Sequence, residues 1–337
     1  MNAKSMVTIL AVTYGFLGIL PLFLGDSSIY MRILTMILIW SVVASCWDLI
    51  MGYAGIFSFG QVAFYVIGAY SSAILSVSLN VTPIVSIFMA GTITAIIGVI
   101  IGLPCLKLAG PYIALVTFAF QLALEPFLKG PLGKAIGSGG SRGIISVPPI
   151  HIFGMDFSSS ELVPYFYLTL VLTLICSAVI VVILKSHWGT AFLALKDSED
   201  FAASLGVSAF KYKLLVFAVT SFITGLFGAL YVHYVGILST RMLSMEVFTV
   251  LLIMIVVGGI GQYPGVVLGA VVTVTMNELL RPMGIYRLLI MGGMVVVIVL
   301  LLPDGVTGLI RKFSVFRMTK KRTEQLKHRN ETHESSP

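Results

Sequence analysis

The sequence predicts an all-α integral membrane protein, a polytopic bundle of about ten transmembrane helices with some of them broken or re-entrant. Three observations carry this. Of the 337 residues, 58% are hydrophobic and only 10% are charged, whereas a soluble domain carries about 25% charged residues. Mean hydropathy is +1.04, so the bilayer must solvate most of the surface. The apolar residues also come in long unbroken runs. Only helices or closed barrels satisfy their backbone in lipid, and a barrel would show short alternating strands instead.

About 20 apolar residues cross the hydrocarbon core. On that measure the spans fall near 6–25, 31–50, 58–79, 83–103, 110–128, 163–184, 211–236, 246–263, 264–281 and 285–303. The eighth and ninth are short and interrupted by glycine and proline, so they read either as two spans or as a re-entrant hairpin. The first span follows Lys4 and is not trailed by an A-x-A cleavage site, so it reads as a retained helix. Residues 1–310 form one transmembrane domain. Residues 311–337 form a basic tail without apolar periodicity, which predicts disorder.

Basic residues set the orientation. With ten spans and the N-terminus inside, Lys4, Lys107, Lys185, Lys196, Lys211, Lys213 and the tail cluster face the cytoplasm. Arg32, Lys129, Lys134, Arg142, Arg241, Arg281 and Arg287 face outward. The two-to-one bias places both termini inside, leaves 129–162 external and leaves 185–210 internal. The three cysteines, Cys46, Cys105 and Cys176, lie far apart in or beside apolar runs. They read as small buried hydrophobes, with no metal or redox spacing.

The internal segment contains a helix start. Asp197 or Ser198 can accept a backbone N–H as cap. Glu199 and Asp200 fall in the first turn, where the helix dipole favours anions, and Gly206 supplies the stop. This predicts a helix of about two turns, 198–205, with Phe201, Ala202 and Leu205 on one face. Isolated helices shorter than about 12–15 residues are marginal in water, so this one must dock. It either packs on its own bundle or the lipid interface, or enters a groove on a cytoplasmic partner.

Two Gly-rich segments stand in opposite halves. The first, 52–70, holds Gly52, Gly55, Gly60 and Gly68 beside Ser58 and Gln61. The second, 258–270, holds Gly258, Gly259, Gly261, Pro264, Gly265 and Gly269. Glycines in membrane helices permit close helix contact, or break the helix so that freed N–H groups can meet a carboxylate. In the external segment, Gly139, Gly140, Ser141 and Arg142 read either as an anion nest or as a flexible turn. The nearby Gly130–Lys134 run lacks the phosphate-loop pattern, because Leu128 and Ala135 stand where that motif needs glycine and Ser/Thr. Asp48, Glu125, Glu246 and Glu278 all fall near predicted span ends, where a charge costs little, so a proton relay is disfavoured. His233 reads as a hydrogen-bonded packing residue.

Together these segments resemble the LivM-type permease subunit of ABC importers for branched-chain amino acids. The resemblance rests on GYAGIFSFGQVAFYVIGAY, SGGSRGI, WGTAFLALKDSEDFAASLGV followed by KYKLL, GALYVHYVG, VVGGIGQYPGVVLGA and LLPDGVTGLI, in family order from about 40 to 310. It implies that 197–206 is a coupling helix on an ATPase subunit, with Asp197, Glu199, Phe201, Ala202, Ala203, Leu205 and Gly206 at the contact. The spacing departs from the usual signature there, since only Ser204 and Leu205 separate Ala203 from Gly206. Asp48 stands where such permeases often carry an amide and Ile56 where they often carry a polar residue.

The resemblance further implies a translocation pathway along Gly52, Gly55, Ser58, Gly60, Gln61, Gly258, Gly259 and Gly261. Gly139, Gly140, Ser141 and Arg142 would meet a binding protein or the solute. Implied partners are a second, LivH-like permease subunit, two cytoplasmic ATPase subunits, a periplasmic or lipid-anchored solute-binding protein and membrane lipids, but no nucleic acid. The chain would bind no cofactor or metal itself, with ATP and Mg in the partner subunits, in a prokaryotic inner membrane. It would be a transport subunit rather than an enzyme. Urea, amide or other small-solute ABC permeases share much of the pattern, and an ion-coupled secondary transporter is the alternative from another class.

Overall fold

A computed structural model describes residues 3–24, 27–105, 108, 110–152, 155–157, 162–284, 286–301, 305 and 308. The basic tail predicted over 311–337 lies outside the described residues. Ten apolar helices match the ten predicted segments: α1 (Ala3–Leu24), α2 (Ser28–Asp48), α3 (Gln61–Ser78), α4 (Pro83–Cys105), α5 (Pro111–Lys129), α7 (Leu162–Lys185), α10 (Ala209–Val235), α11 (Met245–Gly258), α12 (Gly265–Leu279) and α13 (Tyr286–Leu301). Three further helices lie between them: α6 (Pro131–Ala135), α8 (His187–Asp197) and α9 (Glu199–Ser204). The protein is therefore an all-α polytopic membrane protein.

Seven of the described helices are long and apolar enough to cross a membrane. At 1.5 Å per residue, the 14-residue α11 and 15-residue α12 reach only about 21 and 22 Å. The hydrocarbon core is about 30 Å thick. The short loop 259–264 joins this pair, and the two helices pack on each other along their length.

Burial sorts the bundle into layers. Helices α2, α3 and α10 form the centre, while α1, α4, α5 and α7 turn most of their apolar surface outward. That outward surface suits lipid contact, because tails are as apolar as leucine and nothing drives those faces together. The centre instead packs through small residues. A Cβ on Gly68 would enter the backbone of Gly225 on α10, and one on Gly225 would meet the Thr94 side chain of α4. Hydroxyls in this layer bond one turn back, as Thr220 does to the Val216 carbonyl at 2.7 Å and Thr94 to Ala90 at 2.7 Å. No polar side chain is then left facing hydrocarbon at those positions.

Contacts between distant segments assign the loops to two ends. At one end β1 (Ile144–Ile145) pairs antiparallel with β4 (Ile237–Leu238). A hairpin beside it in sequence pairs β2 (Ile150–Ile152) with β3 (Met155–Phe157). The buried His233 joins this end to the bundle. Its Nδ1 donates to the Pro148 carbonyl at 2.7 Å, leaving Nε2 to accept from Ser72 at 2.8 Å. His233 is thus a hydrogen-bonded packing residue. Glu125, Glu246 and Glu278 are also at this end, paired with Lys129, Arg287 and Arg281. The opposite end gathers 49–60, 186–208 and 259–264. The loops that the basic residues put on one side thus share one end of the bundle.

Candidate functional site

The end opposite His233 carries the predicted functional segments. Helix α2 does not stop at Asp48 but widens into a π turn over Leu49–Tyr53. There the Ala54 N–H reaches the Leu49 carbonyl at 3.1 Å and the Ile56 N–H reaches Ile50 at 3.0 Å. Such wider rings mark a local break in the α ladder. Residues 54–60 are non-helical, so the third span starts at Gln61 rather than at 58.

This connecting segment re-enters the bundle. The Trp47 indole donates to the Ser58 carbonyl at 2.6 Å, and the Phe59 N–H donates to Thr117 Oγ1 of α5 at 2.9 Å. Trp47, Phe59, Phe118 and Phe248 pack around it edge-on or tilted, with centroids 5.6–6.3 Å apart. Gln61 begins α3 and donates through Nε2 to Thr224 of α10. Ser58 and Gln61 are both buried, and Ser58 Oγ and Gln61 Oε1 have no hydrogen-bond partner. In a membrane interior such groups are costly.

The two Gly-rich segments meet here. The Gly261 N–H donates to Asp48 Oδ1 at 2.6 Å, and the Tyr263 N–H donates to the Tyr53 hydroxyl at 3.1 Å. A Cβ on Gly52 would strike both the Asp48 carboxylate and the Gly261 backbone. Gly261 itself has φ +72°, a conformation that disfavours any side chain. Gly258 lies against Val266 of α12 and needs its small size for that crossing. Gly259 continues the turn with φ +95°. Gly60 faces Thr117 and Phe64 with ordinary van der Waals room.

Asp48 corrects the expectation of a carboxylate at a cheap span end. It is 0% exposed, because the π turn carries the chain past it and the 259–264 loop closes over it. One oxygen takes the Gly261 N–H, while Oδ2 has no hydrogen-bond partner. Lys196 lies within electrostatic reach. Ile56, in the segment after the π turn, is buried and apolar.

The 185–210 segment differs from its predicted form in two respects. It contains two helices rather than one, because Ser186 caps α8 by accepting the Trp188 N–H at 3.1 Å. Ala191, Phe192 and Leu195 of α8 are buried. The missed signal was the cap serine followed by Trp188, Ala191, Phe192 and Leu195 at helical spacing. Asp197 ends α8, and Ser198, not Asp197, caps α9 by accepting the Phe201 N–H at 3.4 Å. Gly206 follows with φ +84° in open space. Glu199 pairs with Lys213 of α10 at 2.6 Å.

The predicted single face of α9 splits. Ala202 is 0% exposed and packs inward, whereas Phe201 is 66% and Leu205 69% exposed. Ala203 is also exposed. The reason is geometric: Phe201 and Leu205 lie one turn apart on the same line, while Ala202 is turned about 100° from Phe201. Lys196, absent from the sequence-based contacts except as a charge, joins this unit to the break. Its Nζ donates to the Gly52 carbonyl at 2.6 Å, and its side chain lies against Gly55. The φ of Gly55, +69°, puts its backbone where that lysine can pass.

At the other end, the Gly139–Arg142 turn is built by positive φ at Gly139 and Gly140. Gly140 is buried, and Ser141 and Arg142 are exposed. The structure thus brings together the two Gly-rich segments and the 196–206 unit, and leaves Gly139, Gly140, Ser141 and Arg142 at the far end of the bundle.

A multi-pass helical bundle with a broken, glycine-lined span and a short exposed helix between spans suits a membrane permease. Residues 29–300 match the family model for the permease component of branched-chain amino acid transport systems, and the chain belongs to that family. It is 28% identical over 300 residues to the high-affinity branched-chain amino acid transport system permease protein LivM of Salmonella typhimurium. That alignment spans 83% of this chain and 70% of the relative. The LivM protein of Escherichia coli is similar to the same extent. No solved structure matches the chain.

Proposed function

We propose that this chain is one half of the translocation pore of an ATP-driven importer for branched-chain amino acids, coupled to ATPase subunits through α9. The family supplies the transport class, and the names of the LivM relatives support the solute. The coupling role rests on one observation. Phe201 on a six-residue helix and Leu205 at its C-cap are exposed side by side, and the helix is held from behind by Ala202, the Ser198 cap and the Glu199–Lys213 pair. A helix that short is marginal by itself, and its apolar outer line is what a groove on a partner recognises.

In this reading both termini and α9 face the cytoplasm of a prokaryotic cell. A delivery protein brings the amino acid to the opposite face, near the Gly139–Arg142 turn. ATP closes two cytoplasmic ATPase subunits, and the resulting pull on α9 passes through α8 and Lys196 to Gly52. The Asp48–Gly261 contact carries it on to the α11–α12 loop. A second, homologous permease completes the pore. ATP and its magnesium belong to the partner subunits.

The test is reconstitution in liposomes with the proteins encoded beside this gene, scoring uptake of labelled leucine, isoleucine and valine against urea. ATP-dependent uptake of the aliphatic amino acids is expected. ATP-dependent uptake of urea alone discards the solute, and uptake indifferent to ATP discards the coupling reading in favour of an ion-coupled carrier.

A further inference from the structure

The end that bears His233 holds a cavity that the coupling reading does not use. It has a volume of about 380 Å³ and lies among α2, α10, α11 and α12. Small-molecule sites run from about 300 to 1,000 Å³. Its inner wall includes Met36, Trp40, Val250, Met254 and Val274, a set of apolar surfaces. Its polar residues include Arg32, Glu246, Asn277, Glu278 and Arg281.

These charges do not cancel among themselves. Glu278 engages Arg281 at 2.7 Å, and Glu246 engages Arg287. Arg32 is left with no ion pair among the described residues, and the buried side-chain oxygen of Asn277 has no hydrogen-bond partner. Among the described residues, one cavity therefore offers a guanidinium without an ion pair, an amide beside a carboxylate, and an aliphatic wall.

We infer that this cavity is an entry site for a free zwitterionic aliphatic amino acid. The guanidinium of Arg32 receives the α-carboxylate, for which its planar fork is shaped. The Asn277 oxygen and the Glu278 carboxylate receive the α-ammonium, which carries three donors and no acceptor. The branched side chain lies along Met36, Val250, Met254 and Val274. A lone anion would leave the amide oxygen unused, and a lone cation would leave Arg32 unused. This assignment rests on the proposed solute class, since it gives that solute its first contact within the membrane protein.

The probe is photo-leucine, the diazirine analogue of leucine. It is irradiated with the full chain in phosphatidylcholine nanodiscs, and labelled peptides are mapped by mass spectrometry. Labelling within 246–254 and 274–281 is expected, competed by leucine but not by leucinamide, which lacks the carboxylate. Arg32→Gln removes a charge-assisted hydrogen bond and lowers labelling by about tenfold. Val250→Trp fills the wall and abolishes it, and Lys129→Gln, on α5 away from the cavity, leaves it unchanged. Labelling absent from these segments, or unaffected by both pocket variants, overturns the site. Labelling displaced by phosphatidylethanolamine but not by leucine also overturns it and assigns the pocket to a lipid headgroup of the same zwitterionic chemistry. The uptake assay is read separately. Leucine uptake without labelling removes the site and keeps the transport reading, while labelling without uptake keeps the site and removes that reading.

Discussion

Replacing Phe201 and Leu205 together by aspartate tests whether α9 is the docking element. Full burial of a Phe or Leu side chain is worth about 1.5–3 kcal/mol. In the free chain 66% of Phe201 and 69% of Leu205 is exposed. A partner that covers both therefore gains about 2–4 kcal/mol from them, or about 30- to 700-fold in Kd at 1.4 kcal/mol per tenfold. Aspartate adds the cost of desolvating two carboxylates, so the loss should approach the upper figure. The same change should leave the fold intact, because substitutions at exposed positions usually move stability by less than about 0.5 kcal/mol. The assay is titration of purified ATPase subunits onto nanodisc-held chain, with thermal unfolding of the chain alone as control. A Kd within about threefold of the parent, on a chain that unfolds at the parental temperature, would falsify the docking role.

Two further substitutions, with Gly15→Ala as a control, probe the path behind α9. Gly52→Ala drives a Cβ into the Asp48 carboxylate and the Gly261 backbone and should cost about 1–3 kcal/mol of stability. Gly15→Ala in α1, where a Cβ meets nothing within 4 Å, should instead stabilise by about 0.5–1 kcal/mol; thermal unfolding that gives both variants the same sign contradicts the packing argument. Lys196→Met removes the 2.6 Å bond to the Gly52 carbonyl, a charged hydrogen bond worth about 1.5–3 kcal/mol. It should leave ATPase binding intact while ATP-driven uptake falls, and unchanged uptake would remove Lys196 from the coupling path.

The linear chain was enough to determine the membrane class, the ten apolar helices and the position of α9. Each rests on local information: an apolar run long enough for the bilayer, or a cap, an acidic first turn and a glycine stop within ten residues. The sorting of loops into two ends was also legible, because basic residues are counted loop by loop. Helix α8 was legible too, in Ser186 and the apolar spacing after it, although the charges around it drew attention to α9 alone.

What the tertiary structure decided concerns residues far apart in sequence. Glycine at 52 and glycine at 261 each permit close approach, but neither says what approaches. Only the fold shows that they pack against each other and that Asp48 is sealed between them instead of sitting at a solvated span end. Lys196 in sequence is one positive charge among many, and its role comes from a carbonyl 144 residues away. The division of α9 into a buried Ala202 and an exposed Phe201 and Leu205 required the neighbouring helices to be in place. The outer cavity likewise draws Arg32, Asn277 and Glu278 from opposite ends of the chain. Periodicity and caps act within a few residues and so can be read in order, whereas close contact, burial and charge pairing depend on distances that only the folded chain sets.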